Sequence, residues 1–288
     1  MIFNNTKATN TDASGAILQV KDLHYVYDEM NVALKGINVS IYPGERIAVV
    51  GSNGAGKSTF FLNINGVLTP EQGEIRFHDI PVTKKTLKQL RKNIGIVFQY
   101  ADNQIVASTV KAEVSFGPMN LKLPREVVQA KVKTAMEYMN ISEFGDRPPH
   151  YLSGGEKKRV AIADIIAMEP EVIIFDEPTA ALDPVNASML EEVLSRLSEE
   201  GKTLLISTHD VDFTYRWAER VLVFCDGQII ADGTPLEIFR NQEVVERANL
   251  QRPMMLDVYE GLVSAGVLPD DQAYPKVPSE LQAYLNNR

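Results

Sequence analysis

Polar and apolar positions change rhythm several times along the chain. Residues 4–12 form a polar run without period, and the reading for 1–16 is a flexible tail. Ile17-Leu18-Gln19-Val20 opens the first strand. Ile37, Val39 and Ile41 alternate with polar residues, as in a half-buried strand, and Pro43-Gly44 turns the chain. Ile47-Ala48-Val49-Val50 is apolar throughout, the pattern of a parallel strand buried on both faces. It runs into a glycine-rich loop and then a helix at about 57–65.

Between about 86 and 168 the period becomes helical. Val127, Val128, Val132, Ala135, Met136 and Met139 make one apolar stripe, with Pro124 at its start and Asn140 near its end. A second helix is expected after Ser153. Strands and helices then alternate: a strand over 172–175, a helix over about 186–200, and strands over 203–206 and 221–224. Such alternation means βα units on a largely parallel sheet. From about 241 the chain holds short helical patches, 244–250 and 254–262, broken by Pro253, Pro269, Pro275 and Pro278. The domain reading is a tail over 1–16, one large domain over 17–240 with a helical part over about 86–168, and a small helical appendage over 241–288.

Composition excludes several classes. Of 288 residues, 44% are hydrophobic and 23% charged, which is globular and not disordered. The net charge of −9 argues against bulk nucleic-acid binding. Cys225 is the only cysteine, so no internal disulfide forms, and its apolar strand predicts a buried, inert thiol. His24, His78, His150 and His209 have no zinc-like spacing. No apolar run reaches the roughly 18 residues that a membrane span needs, and no basic-then-apolar leader is seen, so the cytosol is the expected compartment.

Five features carry chemistry. Gly51-Ser52-Asn53-Gly54-Ala55-Gly56-Lys57-Ser58-Thr59 fits the phosphate-binding pattern G-x-x-x-x-G-K-[ST]. Its glycines let backbone N–H groups face an anion, Lys57 meets the β- and γ-phosphates, Ser58 offers a hydroxyl to Mg²⁺, and the following helix presents its positive end. Val172-Ile173-Ile174-Phe175-Asp176-Glu177 places two acids at a strand end. Asp176 is expected to hold Mg²⁺ and Glu177, which strand alternation would turn elsewhere, to act as general base. Ser153-Gly154-Gly155-Glu156 reads as a second anion-binding helix start, or as an ordinary cap. Two such starts in one chain suggest two nucleotides and hence a dimer. His209, at the end of the 203–206 strand, can donate to a phosphate, and Gln99, after Ile96-Val97-Phe98, can sense Mg²⁺ or the γ-phosphate.

In this order these motifs resemble the ATP-binding subunit of ABC transporters, over about residues 17–239. The resemblance implies an α/β P-loop ATPase: a mainly parallel central sheet, an antiparallel β subdomain, a helical subdomain and a small C-terminal helical appendage. It makes Leu152-Ser153-Gly154-Gly155-Glu156 the signature serving the partner subunit's nucleotide, Gln99 the Q-loop glutamine, Ala181-Leu182-Asp183 the D-loop and His209 the H-loop histidine. Tyr27, or alternatively Tyr25, would stack on adenine; spacing to Gly51 favours Tyr27. The cofactors implied are ATP and Mg²⁺.

Phe98-Gln99-Tyr100-Ala101-Asp102-Asn103-Gln104-Ile105, followed by Val114-Ser115-Phe116-Gly117-Pro118-Met119-Asn120-Leu121, is similar to energy-coupling-factor (ECF) importers, and among them to the cobalt-import ATPases. That likeness implies a peripheral protein on the cytoplasmic face of the membrane. Its expected partners are a second ATPase subunit, a homodimer by this reading, with a transmembrane energy-coupling subunit and a substrate-specific membrane subunit. Asp102 and Glu113 would meet a basic residue of a docked helix, while Ile105, Val106 and Phe116 offer apolar contact. Ala101, Glu156 and Asp164 depart from the family pattern. Nickel or vitamin import and a conventional importer remain alternatives to cobalt. A DNA-acting ABC ATPase would carry a long heptad or C-x-x-C insertion, and residues 60–151 hold neither. A regulator without turnover would not need Asp176, Glu177 and His209 together.

Overall fold

The computed structural model describes residues 15–28, 31–180 and 182–286. In chain order they form β1 (Leu18–Val26), β2 (Val32–Ile41), β3 (Arg46–Val50), α1 (Lys57–Ile64), β4 (Gln72–Phe77), β5 (Ile80–Pro81), α2 (Leu87–Asn93) and β6 (Ile94–Val97). Then come α3 (Val110–Asn120), α4 (Arg125–Tyr138), α5 (Gly154–Ala167), β7 (Val172–Asp176), α6 (Pro184–Glu199), β8 (Thr203–Ser207), α7 (Val211–Trp217), β9 (Arg220–Cys225) and β10 (Gln228–Gly233). The chain closes with α8 (Pro235–Arg240), α9 (Gln242–Arg247), α10 (Met254–Ser264) and α11 (Pro278–Asn286).

A six-stranded sheet ordered β10-β9-β3-β8-β7-β6 forms the centre, parallel except for β10. Alternation along its strands divides the core in two. Ala48, Val50, Ile173, Phe175, Leu204, Ile206, Val221 and Val223 face one side and pack with apolar residues of α3, α4, α5 and α6. Ile47, Val49, Val172, Ile174, Leu205, Leu222 and Phe224 face the other side. There they meet Phe60 and Phe61 of α1 and the inner face of an antiparallel sheet ordered β2-β1-β4-β5. Apolar runs buried on both faces are thus strands covered from both sides. Arg220 ties the two sheets: it donates to Asp232 at 2.7 Å, to Glu45 at 3.1 Å and to the Ser40 carbonyl at 2.9 Å.

The helical layer differs from expectation in detail. Residues 94–97, inside the stretch read as helical, are the edge strand β6 paired to β7, so the helices that pack on one another are α3, α4 and α5. On α4, Val128, Val132, Ala135 and Met136 are buried, but Val127 is 39% exposed and lies off the stripe. Pro278 does not break a helix; it begins α11, where its missing N–H costs nothing. Of the tail read over 1–16, residues 1–14 lie outside the described residues, and Ala16 is buried. The appendage packs on the main domain: Leu256 of α10 meets Val211, Tyr215, Phe239 and Val245, and Asp212 accepts from the Met254 N–H at 2.7 Å. Cys225 is buried, as its strand requires.

Candidate active site

The loops after β3, β6, β7 and β8 leave the carboxyl end of the sheet, the edge at which α/β folds bind ligands. Between β3 and α1 the chain passes so close to its neighbours that two glycines are obligatory. A Cβ on Gly51, at φ 143°, would lie 2.1 Å from the Phe224 carbonyl, and one on Gly56, at φ 104°, 2.7 Å from the Ala33 carbonyl. Gly56 caps α1 without a side chain, so the first N–H groups of the helix face the loop. Lys57 is 7% exposed, and its Nζ donates to the Gly51 carbonyl at 2.7 Å and the Ser52 carbonyl at 3.1 Å. Burial lowers its pKa, while the carboxylates of Glu177 and Asp176 pull it up, so lysine and both acids share one site. Asn53, Gly54 and Ser58 are exposed at the loop surface, and Ala55 is buried. The Thr59 hydroxyl lies 3.2 Å from the Tyr27 hydroxyl. Tyr27 is half exposed above the loop, whereas Tyr25 packs against the core, edge-on to it at 5.0 Å.

The acid pair is fixed by a residue that the sequence reading passed over. Register pairs Asp176 with Ser207, and the Ser207 hydroxyl, wholly buried, donates to Asp176 Oδ1 at 2.6 Å. Ser207 Oγ in turn accepts from the Glu177 N–H at 2.8 Å. Glu177 is not turned by strand alternation. The strand ends at Asp176, and Glu177 adopts φ 46°, the left-handed region that non-glycine residues enter rarely. His209 Nε2 then stands 3.0 Å from Glu177 Oε1. Burial pushes the Glu177 carboxyl up, against the opposing charges of His209 and Lys57.

Gln99 is half-buried directly beyond β6. Its backbone carbonyl and that of Phe98 accept from Lys158 Nζ of α5, at 2.7 and 2.8 Å. Lys158 was missed too, although its spacing to Ile162 and Ile165 puts it on the apolar stripe of α5. Ser153 and Glu156 cap α5 reciprocally: Ser153 Oγ accepts from the Glu156 N–H at 3.3 Å, and Glu156 Oε2 from the Ser153 N–H at 2.7 Å. Ser153 and Gly154 are exposed; Gly155 is pressed against Asn186, where a Cβ would fall 2.7 Å from the side-chain carbon. Asn186 is bound in turn to Asp183, the N-cap of α6. The segments read from the sequence as signature and D-loop thus abut, with Ala181 outside the described residues.

Two acids, Glu113 and Asp102, behave differently from expectation, and a third, Asp164, is buried. Glu113 is 1% exposed and its carboxylate accepts from the N–H groups of Val106 and Ala107, so it does not reach a partner. Asp102 is exposed but already paired with Lys157 at 2.7 Å. Asp164 is 8% exposed, with an oxygen that has no hydrogen-bond partner. Burial first, and the Glu113 charge second, raise its pKa to about 7. Among the described residues no group of three or more His, Cys, Asp or Glu side chains could hold a metal ion, and no helix is long and apolar enough to cross a membrane.

A strand, glycine loop and helix beside a strand-end acid pair on a parallel sheet make this a P-loop ATPase fold. The family model described as "ABC transporter" matches residues 34–180. An energy-coupling factor transporter ATP-binding protein EcfA of Methanocaldococcus jannaschii is 48% identical over 88% of this chain and 91% of its own length. A putative ABC transporter ATP-binding protein of Methanosarcina mazei is 47% identical over 87% of this chain, which spans only 56% of that relative. The solved cbiO1 of Clostridium perfringens, part of the ABC transporter complex cbiONQ, superposes with a TM-score of 0.72 at 42% identity, covering 87% of this chain and 99% of that one. A dimeric ATP-binding cassette in a post-hydrolysis state, bound to ADP and Pi, superposes at 0.69 with 29% identity over 76% of this chain and 98% of its own. The chain belongs to the ATP-binding subunits of the ABC transporter family.

Proposed function

We propose that this chain is the ATP-hydrolysing subunit of an ECF-type importer, with cobalt as its cargo. The observation that carries the chemistry is the convergence of Lys57, Asp176, Glu177 and His209 at one sheet edge. In this reading residues 51–59 cradle the triphosphate and Tyr27 stacks on adenine. Glu177 takes a proton from the attacking water, His209 donates to the γ-phosphate, and Ser207 holds Asp176 and the turn of Glu177 in register. The donor set fits Mg²⁺: the Ser58 hydroxyl, the Asp176 carboxylate and the Gln99 amide are hard oxygen ligands. The Ser207 hydroxyl takes one acceptor site of Asp176 Oδ1, and the carboxylate's remaining acceptor sites would hold the metal or its water. Mg²⁺ supplies charge neutralisation on the phosphates.

The exposed start of α5 supports a dimer in which Ser153, Gly154 and Gly155 serve the second subunit's nucleotide, and the ADP-bound cassette of similar fold is dimeric. The appendage is our candidate for a further contact between subunits. Exposed Tyr100, Val106 and Phe116, beside the Q-loop, are the proposed contact for a transmembrane subunit at the cytoplasmic face of the membrane. Relatives named as energy-coupling-factor ATPases support the importer type, and the likeness to cbiO1 supports cobalt over nickel or a vitamin. Cargo selection is assigned in this reading to the membrane partners; among the described residues no soft or imidazole ligands are grouped.

Two measurements test this. Glu177→Gln should bind ATP normally, accumulate as an ATP-bound dimer and hydrolyse about 10²–10⁴-fold more slowly. Wild-type turnover in that variant would place the base elsewhere. Cells lacking the chain should lose cobalt uptake but keep nickel and vitamin uptake; undiminished cobalt uptake would discard the cargo and leave the ATPase intact.

A further inference from the structure

The helix that carries the signature and the loop that carries Gln99 are joined by a buried cation. Lys158 stands in the second turn of α5 and is 4% exposed. Its Nζ donates to two successive carbonyls, Phe98 at 2.8 Å and Gln99 at 2.7 Å, where β6 has ended and the backbone no longer pairs within the sheet. Side-chain contacts on either side make the junction stiff. Lys157 pairs with Asp102, Gln104 Nε2 donates to the Ala161 carbonyl at 2.8 Å, and Gln104 Oε1 accepts from the Phe98 N–H at 3.3 Å. Segment 98–104 is therefore held to the first two turns of α5 at several points, and among the described residues it is the Lys158 side chain that grips the Gln99 backbone itself.

The choice of residue is informative. A buried ammonium is costly unless it is hydrogen-bonded, and an apolar side chain at this position on the stripe would pack without that cost. Burial does depress Lys158, to about 8, against the pull of Asp176. What the lysine provides in return is a hold at two successive carbonyls, Phe98 and Gln99, on the backbone that carries the glutamine proposed above to contact Mg²⁺. A displacement of Gln99 must then move α5, and with it Ser153 and Gly154 at the helix start.

We propose that Lys158 is a positioning residue for ATP hydrolysis, coupling Gln99 at a subunit's own nucleotide to the signature turn at the second subunit's nucleotide. This rests on the two-nucleotide reading above. It acts through Gln99 and touches no reacting atom.

A double-mutant cycle tests it on the purified full chain, with wild type, Lys158→Met, Gln99→Ala and the double variant. ATP affinity and melting temperature are measured beside kcat. Lys158→Met should keep ATP affinity within about twofold and lose about tenfold in kcat, the scale of one charge-assisted hydrogen bond. Lys158→Arg, which keeps charge and donors for both carbonyls, should recover most of that loss. Because Lys158 works through Gln99, the double variant should be no slower than Gln99→Ala alone. Losses that multiply, or a kcat for Lys158→Met equal to wild type, would overturn the coupling. If Lys158→Met does not fold, Lys158→Leu, which likewise removes every donor, takes its place in the same cycle with the same readings. Failure of the wild-type chain to form a dimer with ATP would instead overturn the two-nucleotide reading, and it is seen before any variant is made.

Discussion

Asp164 shows how one side chain can set a pH dependence. Its unfolded value is near 3.8 and its folded value about 7. The folded chain therefore holds a proton that the unfolded chain has already released. The favourable contribution is full below pH 3.8, is lost as pH rises through about 7, and the ionised carboxylate then sits buried opposite Glu113, near Gln104. At 1.36 kcal/mol per pKa unit the change is about 4 kcal/mol at most. Asp164→Asn should therefore be more stable than wild type. Its gain in melting temperature should grow from pH 5 to about pH 7 and level off above; an equal gain at every pH would mean that Asp164 does not titrate in this range. The sequence alone marked Asp164 only as a departure from a family pattern. Burial and the nearness of Glu113, 51 positions away in the chain, come from the packing of α3 on α5. Most of the candidate site residues that the structure brings together at one sheet edge stood out in the sequence, because phosphate and metal chemistry leaves fixed spacings in the chain, as in 51–59 and 176–177. Ser207 and Lys158 were not legible as site residues. Their roles depend on which strand or loop lies alongside, and the sequence does not state that.

Among the elements, α5 combines a stability device with an exposed surface. Its capping box uses the Ser153 hydroxyl and the Glu156 carboxylate locally, so the cap reading holds, and the anion site is proposed on the same four residues. The parts left for a second subunit are the exposed Ser153–Gly154 edge and the free N–H groups of the first turn. Mixing a Lys57→Ala chain with a Ser153→Arg chain tests this sharing. Heterodimers would contain one intact composite site, and ATP hydrolysis should recover to about a quarter to a half of wild type per heterodimer, depending on how strongly the two sites interact. Absence of rescue in demonstrated heterodimers would confine each site to one chain. Element existence followed well from periodicity; element allegiance did not. The run 94–97 is too short to separate strand from helix by pattern, and only its pairing with β7 assigns it to the sheet. Val127 sits beside Val128 in sequence but a third of a turn away on α4, which is enough to carry it from core to solvent.

At the scale of the whole molecule, the proposed docking surface rests on apolar residues left uncovered near Gln99, since Glu113 is buried and Asp102 is paired within the chain. Phe116 of α3 is 52% exposed, and Val106 is 71% exposed. Phe116→Glu should leave the melting temperature and the ATPase of the isolated chain nearly unchanged, and it should lower co-purification with the membrane subunits by about tenfold, as loss of an aromatic anchor does. Assembly at wild-type levels would remove α3 from that interface.

The division of the core by the central sheet has a consequence for how the molecule opens. Strands β3, β7 and β8 are sealed from both sides, so their amide protons reach water only when both layers are lost. Helices α3 and α4 cover a single side and have solvent on the other. Hydrogen–deuterium exchange should therefore proceed in tiers: α3 and α4 label through a partial opening that spares the sheet, and the three central strands label last, at the rate of global unfolding. A layer able to detach in this way can also shift as a unit, so the helical side is the side on which this ATPase has freedom to move.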